Sequence, residues 1–319
     1  MIRAIHTSLA PSVEAEDLRS ALRILLNPMA WRETFVRRQL EEALRRRHGF
    51  AHVTALESGR GALRLALEIL DVGHGDDVLL QAFTCVSVPG PVLWRGARPL
   101  YVDILPTTFT MDPEDLERKI TPRSRALIIQ HTFGLPADME HIVTVARRHG
   151  LAVIEDCAHA LGATYRGKPV GTFGDAAIFS FGRDKAISSV FGGALAVNRA
   201  DFVPRLFQRT SALRAPRSAW ILQQALHPLL ASAARETYFA GGRYALRALQ
   251  RAHVLSRALS KAEKRGGEPP WTPYVLPDAL AVGPHRGEPA ARRVDGVLRG
   301  KQGAHARARL HVEHPHVPL

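Results

Sequence analysis

Cysteine is nearly missing: Cys85 and Cys157 are the only two in 319 residues. No disulfide framework can be built from them, so a reducing cytosol is the expected compartment. No run reaches the roughly 18 uncharged apolar residues that a spanning helix needs. Residues 1–11 carry a single arginine and no apolar centre of useful length, so no secretion signal is expected there. No internal repeat, zinc-finger spacing, RNP-like aromatic motif or basic coiled-coil region occurs, and nucleic acid is therefore not an expected partner. With 46% hydrophobic and 23% charged residues, a disordered or collagen-like chain is excluded as well.

What is abundant is basic charge, and it is localised. Residues 1–200 hold 24 Lys/Arg against 22 Asp/Glu, whereas residues 201–319 hold 19 against 8, so nearly all of the net +13 sits at one end. An excess so confined suggests a surface or tail for an anionic partner rather than a nucleic-acid-binding core. The length allows two domains, or one large α/β domain with an appendage.

Up to about residue 200 the chain alternates between apolar runs and amphipathic stretches. Helical spacing occupies 16–26 and 31–47, the second through Phe35, Leu40 and Leu44. Apolar runs at 51–56, 78–81, 99–102, 126–130, 151–154, 175–181 and 193–197 read as strands, with helices at 61–70, 112–120 and 138–149. Continuous apolar strands alternating with helices indicate a mainly parallel sheet covered on both faces. Residues 202–260 are rich in Ala, Leu and Arg and read as helical, with breaks expected at Pro216, Pro228 and Gly241-Gly242. Within them 220–230 is apolar enough to dock on something. Peripheral contact with a membrane is one reading, and packing on its own domain or a partner subunit is the favoured one. Beyond Val282 periodicity is lost and Arg and His dominate, so 283–319 reads as an atypical, disordered tail without a metal-binding pattern.

Four local features of the balanced half carry chemistry. Leu56-Glu57-Ser58-Gly59-Arg60-Gly61 runs a strand into a helix, whose first N–H groups favour a phosphate, with Arg60 able to fork onto its oxygens. Val153-Ile154-Glu155-Asp156 ends an apolar strand in two carboxylates, placing one where ligands of α/β sheets bind. It could hold a cationic heterocycle nitrogen, coordinate a metal, or simply cap a helix through Asp156. Ser180-Phe181-Gly182-Arg183-Asp184-Lys185 follows a strand, and Phe191-Gly192-Gly193 turns into the next one. Individually these are commonplace. Together, phosphate cradle, carboxylate and lysine in one domain are the set that holds pyridoxal phosphate.

With those residues, the chain resembles the DegT/DnrJ/StrS-type sugar aminotransferases, which are fold type I pyridoxal-phosphate enzymes. The resemblance runs from about residue 51 to 201. It includes Gly75-Asp76-Asp77-Val78, Pro99-Leu100-Tyr101-Val102-Asp103 and Gly134-Leu135-Pro136-Ala137-Asp138-Met139. It continues through Ile154-Glu155-Asp156-Cys157-Ala158-His159-Ala160-Leu161-Gly162-Ala163, residues 171–174, Phe179-Ser180-Phe181 and Lys185 with Gly192-Gly193. It implies a large domain (1–200) with a mostly parallel seven-stranded sheet between helices. A helical region and the start of a small domain (201–282) would follow.

By the same resemblance, Lys185 is the catalytic lysine that bonds the cofactor aldehyde and then moves the substrate proton. Asp156 pairs with the pyridine nitrogen, His159 lies beside the ring, and Ser58, Gly59, Arg60 and Ser180 hold the phosphate. The implied reaction transfers an amino group, from glutamate in most relatives, to a nucleotide-linked keto-sugar for polysaccharide or secondary-metabolite synthesis, in a cytoplasmic homodimer. Lys185 argues against the sugar dehydratases of the family, in which His replaces the lysine. Arg235, Arg243 and Arg247 are candidates to face the sugar-nucleotide diphosphate, or are solvated.

Three positions depart from the family pattern. Arg60 stands where many relatives have Thr. Cys85 stands where an aromatic residue stacks on the ring, leaving Phe83 as the candidate for stacking. Gly182 replaces a frequent His or Tyr. Residues 274–281 look like the opening of the small-domain helix, but the match stops at Val282, with Val294-Asp295 as a fragment of the continuation. A truncated or frame-disturbed carboxyl end is expected on that ground. A catalytically impaired remnant that binds a partner is the alternative reading.

Overall fold

The computed structural model describes residues 13, 15–32, 35–257, 259–260, 262–265 and 267. Two amino-terminal helices, α1 (Ala15–Leu26) and α2 (Phe35–His48), precede β1 (His52–Leu56) and α3 (Gly59–Ile69). Then come β2 (Asp77–Gln81), α4 (Pro89–Trp94), β3 (Arg98–Val102), α5 (Pro113–Lys119), β4 (Ser124–Gln130), α6 (Met139–Arg148) and β5 (Ala152–Asp156). A two-residue hairpin, β6 (Thr164–Tyr165) with β7 (Lys168–Pro169), leads to β8 (Ala176–Ser180) and β9 (Gly193–Val197). Helices α7 (Val203–Ser211), α8 (Ser218–Glu236) and α9 (Gly242–Arg251) follow.

The seven longer strands form one sheet in the order β1-β9-β8-β5-β4-β2-β3. All neighbouring pairs from β8 to β3 are parallel, and β9 alone runs against both β1 and β8. The inner strands are apolar along their centres because both faces are covered, whereas β3 at the edge carries exposed Arg98 and Tyr101. Val78, Leu80, Ile128 and Ile154 pack under α3 and α4, while Leu79, Leu127, Ile129 and Val153 alternate onto the opposite face beneath α5 and α6. The expected mostly parallel seven-stranded α/β sheet is therefore what forms.

Two helices differ notably from the sequence reading. Trp31 lies in a 3-10 turn, Pro28–Arg32, and the following helix starts at Phe35. Pro228 does not break α8, which runs unbroken from Ser218 to Glu236. Proline cannot donate to the Gln224 carbonyl one turn back, but α8 is packed between α1 and α9 and buries Ile221, Ala225, Ala231 and Ala234. That burial outweighs one missing hydrogen bond, and it shows the apolar 220–230 stretch docked on its own chain. No helix among the described residues is long and apolar enough to cross a membrane. Residues 1–11, the 274–281 segment, Val294-Asp295 and the 283–319 tail lie outside the described residues.

Candidate active site

Strands β1, β5 and β8 point the same way, so Ser58, Asp156 and Ser180 emerge together at the carboxyl edge of the sheet, where α/β folds bind ligands. A cavity of about 260 Å³ opens there. Its lining brings together the seven residues expected to hold the cofactor: Ser58, Gly59, Arg60, Asp156, His159, Ser180 and Lys185.

The start of α3 forms one wall. Ser58 is the extended N-cap residue, and its Oγ accepts the Gly61 N–H at 3.0 Å while donating to Glu57 Oε1 at 2.9 Å. Its hydroxyl is thus committed to building the helix start. The N–H groups of Gly59 and Arg60 have no acceptor inside the helix, which makes this end attractive to an anion. The helix start sits tightly on the sheet. A Cβ on Gly59 would lie 3.1 Å from Ser180 Cβ, and one on Gly193 would lie 2.4 Å from Gly59 N.

The two carboxylates that end β5 face opposite ways, as successive strand residues must. Glu155 turns to the 171–174 loop, where it accepts the N–H groups of Gly171, Phe173 and Gly174 at 2.7 Å each. It also lies 3.2 Å from His131 Nε2. His131, Glu155 and Cys157 cluster closely enough to suggest a metal site, but the Glu155 oxygens are spent on backbone donors and the group is structural. Burial pushes the Cys157 thiol well up, so it is inert. Asp156 faces the cavity, with Oδ1 accepting the Ala158 N–H at 3.0 Å. No helix starts there for it to cap. Burial raises its pKa, and a cation placed beside it would favour the ionised form again.

Lys185 lies on the loop between β8 and β9, which the Phe181 N–H to Gly192 carbonyl bond (2.8 Å) closes at its base. Its Nζ is 2.8 Å from His159 Nε2 and 3.4 Å from Asp184 Oδ2. The loop is strained at Val190, a β-branched residue with φ of 68°, a conformation that costs on the order of 1–3 kcal/mol and survives only where surrounding structure enforces it. Behind Lys185, the His159 ring lies parallel to Phe133, with centroids 6.2 Å apart and an interplanar angle of 12°.

Other expectations are corrected. Phe83 is not part of the lining. It packs against Phe109 (5.4 Å) and Phe133 (6.1 Å), and Cys85 occupies the wall instead. Arg235, Arg243 and Arg247 do not line the cavity either; Arg243 lies over Tyr244. The cavity's arginines are Arg60 and Arg183. Arg60 forms an ion pair with Glu263, a residue the sequence reading passed over. The pattern Ser260-x-x-Glu263 was its available signal, since it spells a reciprocal helix cap.

The model of the DegT/DnrJ/EryC1/StrS aminotransferase family matches residues 13–218. GDP-perosamine synthase of Caulobacter vibrioides is 42% identical over 168 residues, covering 53% of this chain and 45% of that protein. L-glutamine:scyllo-inosose aminotransferase of Streptomyces griseus is 40% identical over 168 residues, covering 53% and 40%. The crystal structure of an aminotransferase from Psychrobacter cryohalolentis superposes with a TM-score of 0.60 at 30% identity, covering 64% of this chain and 52% of that one. The chain spans about half the length of the curated relatives it matches.

Proposed function

The chain belongs to the DegT/DnrJ/EryC1/StrS aminotransferase family, and from that premise we propose that it uses pyridoxal phosphate to transfer an amino group to a keto group on a nucleotide-linked sugar. One observation carries the proposal: a lysine amine, a buried carboxylate and the N-terminus of a helix line a single cavity. The residues fit the cofactor. The close seating of Gly59 against Ser180 leaves the helix N-terminus open to a phosphate. Asp156, a buried carboxyl facing the cavity, is placed to pair with a protonated ring nitrogen.

When bound, pyridoxal phosphate supplies a carbonyl that exchanges amines and a ring that takes up charge from a substrate carbon. The protein supplies the rest. Asp156 Oδ oxygens keep a proton on the ring nitrogen. Lys185 Nζ removes a proton from the donor carbon and returns it, and His159 Nε2, at 2.8 Å, fixes where that amine points. The α3 N-terminus, Arg60 and Ser180 orient the phosphate. The name GDP-perosamine synthase supports a nucleotide-linked acceptor. Glutamate is the proposed donor, and glutamine, named in the Streptomyces relative, is the comparison. We infer a homodimer, because Phe83, Phe109 and Phe133 form an exposed aromatic cluster beside His159 that a second copy would cover.

The test is the visible absorption spectrum with added pyridoxal phosphate. A band that forms, fades on addition of L-glutamate and is lost in Lys185→Ala supports the proposal. No band with the wild-type protein, or an unchanged band in Lys185→Ala, would overturn it.

A further inference from the structure

Arg183 is a charge that the reaction leaves unexplained. It lines the cavity, is only 5% exposed, and its Nε has no hydrogen-bond partner. Buried guanidinium groups are normally paired. Its Nη2 donates to Ser256 Oγ, which in turn donates to Gln224 Oε1 at 2.7 Å, and the group lies over the Phe191 ring. Burial lowers its pKa to about 10, with neighbouring Arg60 pushing the same way and Asp184 opposing.

Arg60, the second guanidinium of the cavity, has its side chain 11% exposed and meets Glu263 Oε1 in an ion pair, with the Glu263 side chain 2% exposed. Glu263 is aimed by a reciprocal cap. Its Oε2 accepts the Ser260 N–H at 2.8 Å, and Ser260 Oγ accepts the Glu263 N–H at 3.1 Å. Leu259, just before this cap, lines the same cavity. The two arginines therefore hold Ser256 and Glu263, one each. Glu57 is also near Arg60, but it is bound to Ser58 at the base of α3. The carboxylate paired directly with Arg60, and so the one a phosphate would displace, is that of Glu263.

We propose that Arg183 is a second anion-binding residue of this cavity, acting beside Arg60, and that Glu263 is an internal carboxylate that pairs with Arg60 until a phosphate group displaces it. A phosphate monoester offers more negative charge than a carboxylate and an additional face to the N–H groups of α3, so it competes for the same guanidinium groups. The inference rests on the cofactor reading only for the identity of the natural phosphate ligand.

Inorganic phosphate is the probe, measured by calorimetry on the full chain without cofactor, with circular dichroism confirming the fold. Glu263→Gln is expected to bind phosphate about tenfold more tightly than wild type, and Arg183→Gln about tenfold more weakly, each tenfold being about 1.4 kcal/mol. A second measurement needs no variant: phosphate should speed tryptic cleavage of the wild-type protein after Arg265 as Glu263 is released from Arg60. Unchanged or weaker binding by Glu263→Gln, or phosphate-independent cleavage, would overturn the proposal. Because pyridoxal phosphate and Lys185 take no part, failure here is distinguishable from failure of the cofactor reading.

Discussion

Replacing Gly193 by alanine tests how the helix start is held against the sheet. The added Cβ would lie 2.4 Å from both Gly59 N and Ser58 C and 2.7 Å from Ser58 O. These are backbone atoms, so no side-chain rotation relieves the overlap. Gly193 is pinned on both edges, opposite Leu56 of β1 and Ser180 of β8. The strain can be relieved only by lifting the first turn of α3 off the sheet. Overpacking of this kind costs about 3 kcal/mol, the upper part of its usual range. For a domain of this size that is a fall in Tm of roughly 6–12 °C. The N–H groups of Gly59 and Arg60 would move with the turn, so phosphate affinity should fall at least about tenfold, an effect of 1.4 kcal/mol or more. Gly182→Ala is the control. Gly182 lines the cavity, but its Cβ would meet nothing closer than Ser180 Oγ at 3.5 Å, so its stability should stay within about 0.5 kcal/mol of wild type. Thermal denaturation followed by calorimetry, and phosphate titration, read both variants. A Gly193→Ala protein melting within about 2 °C of wild type, less than 1 kcal/mol by the same scaling, would refute the seating argument.

Two further predictions concern buried titratable groups. Burial raises Asp156, so its ionisation costs the folded state stability that is intact below its unfolded pKa of about 3.9 and is lost as pH rises through the folded value. Asp156→Asn without cofactor should therefore melt higher than wild type at pH 8, with the gap closing towards pH 4, while binding pyridoxal phosphate more weakly; a variant less stable than wild type at pH 8 would contradict this. His48 is stacked on Phe50 (5.1 Å) and tilted against Phe179 (5.9 Å), and burial lowers its pKa to about 4. Its neutral form supports stability above its unfolded pKa of about 6.5, and that support is lost as pH falls towards 4, by at most about 3 kcal/mol. The stability of wild type relative to His48→Phe should fall across that window, and a constant difference in melting curves taken from pH 7 to pH 4 would exclude the effect.

Much of this protein was legible locally. The strands could be read because a sheet covered on both faces demands continuous apolar runs, and the helices because their apolar spacing repeats within a few residues. Asp156 and the Ser58-Gly59 turn were legible because each sits at a strand end, where the chain leaves the sheet, and Lys185 because it follows one within a few residues. Tertiary structure decided the rest. Either Glu155 or Asp156 could have faced the cavity, and the packing of the 171–174 loop onto Glu155 leaves Asp156 as the one that does. Ser58 read as a phosphate contact, whereas its hydroxyl is bound into the cap of α3. Pro228 read as a break, yet the packing of α8 against its neighbours carries the helix through it. The Arg60–Glu263 pair joins residues 203 positions apart. Propensity, capping and periodicity act over one or two turns, and whether two charges so distant meet depends on how every element between them packs.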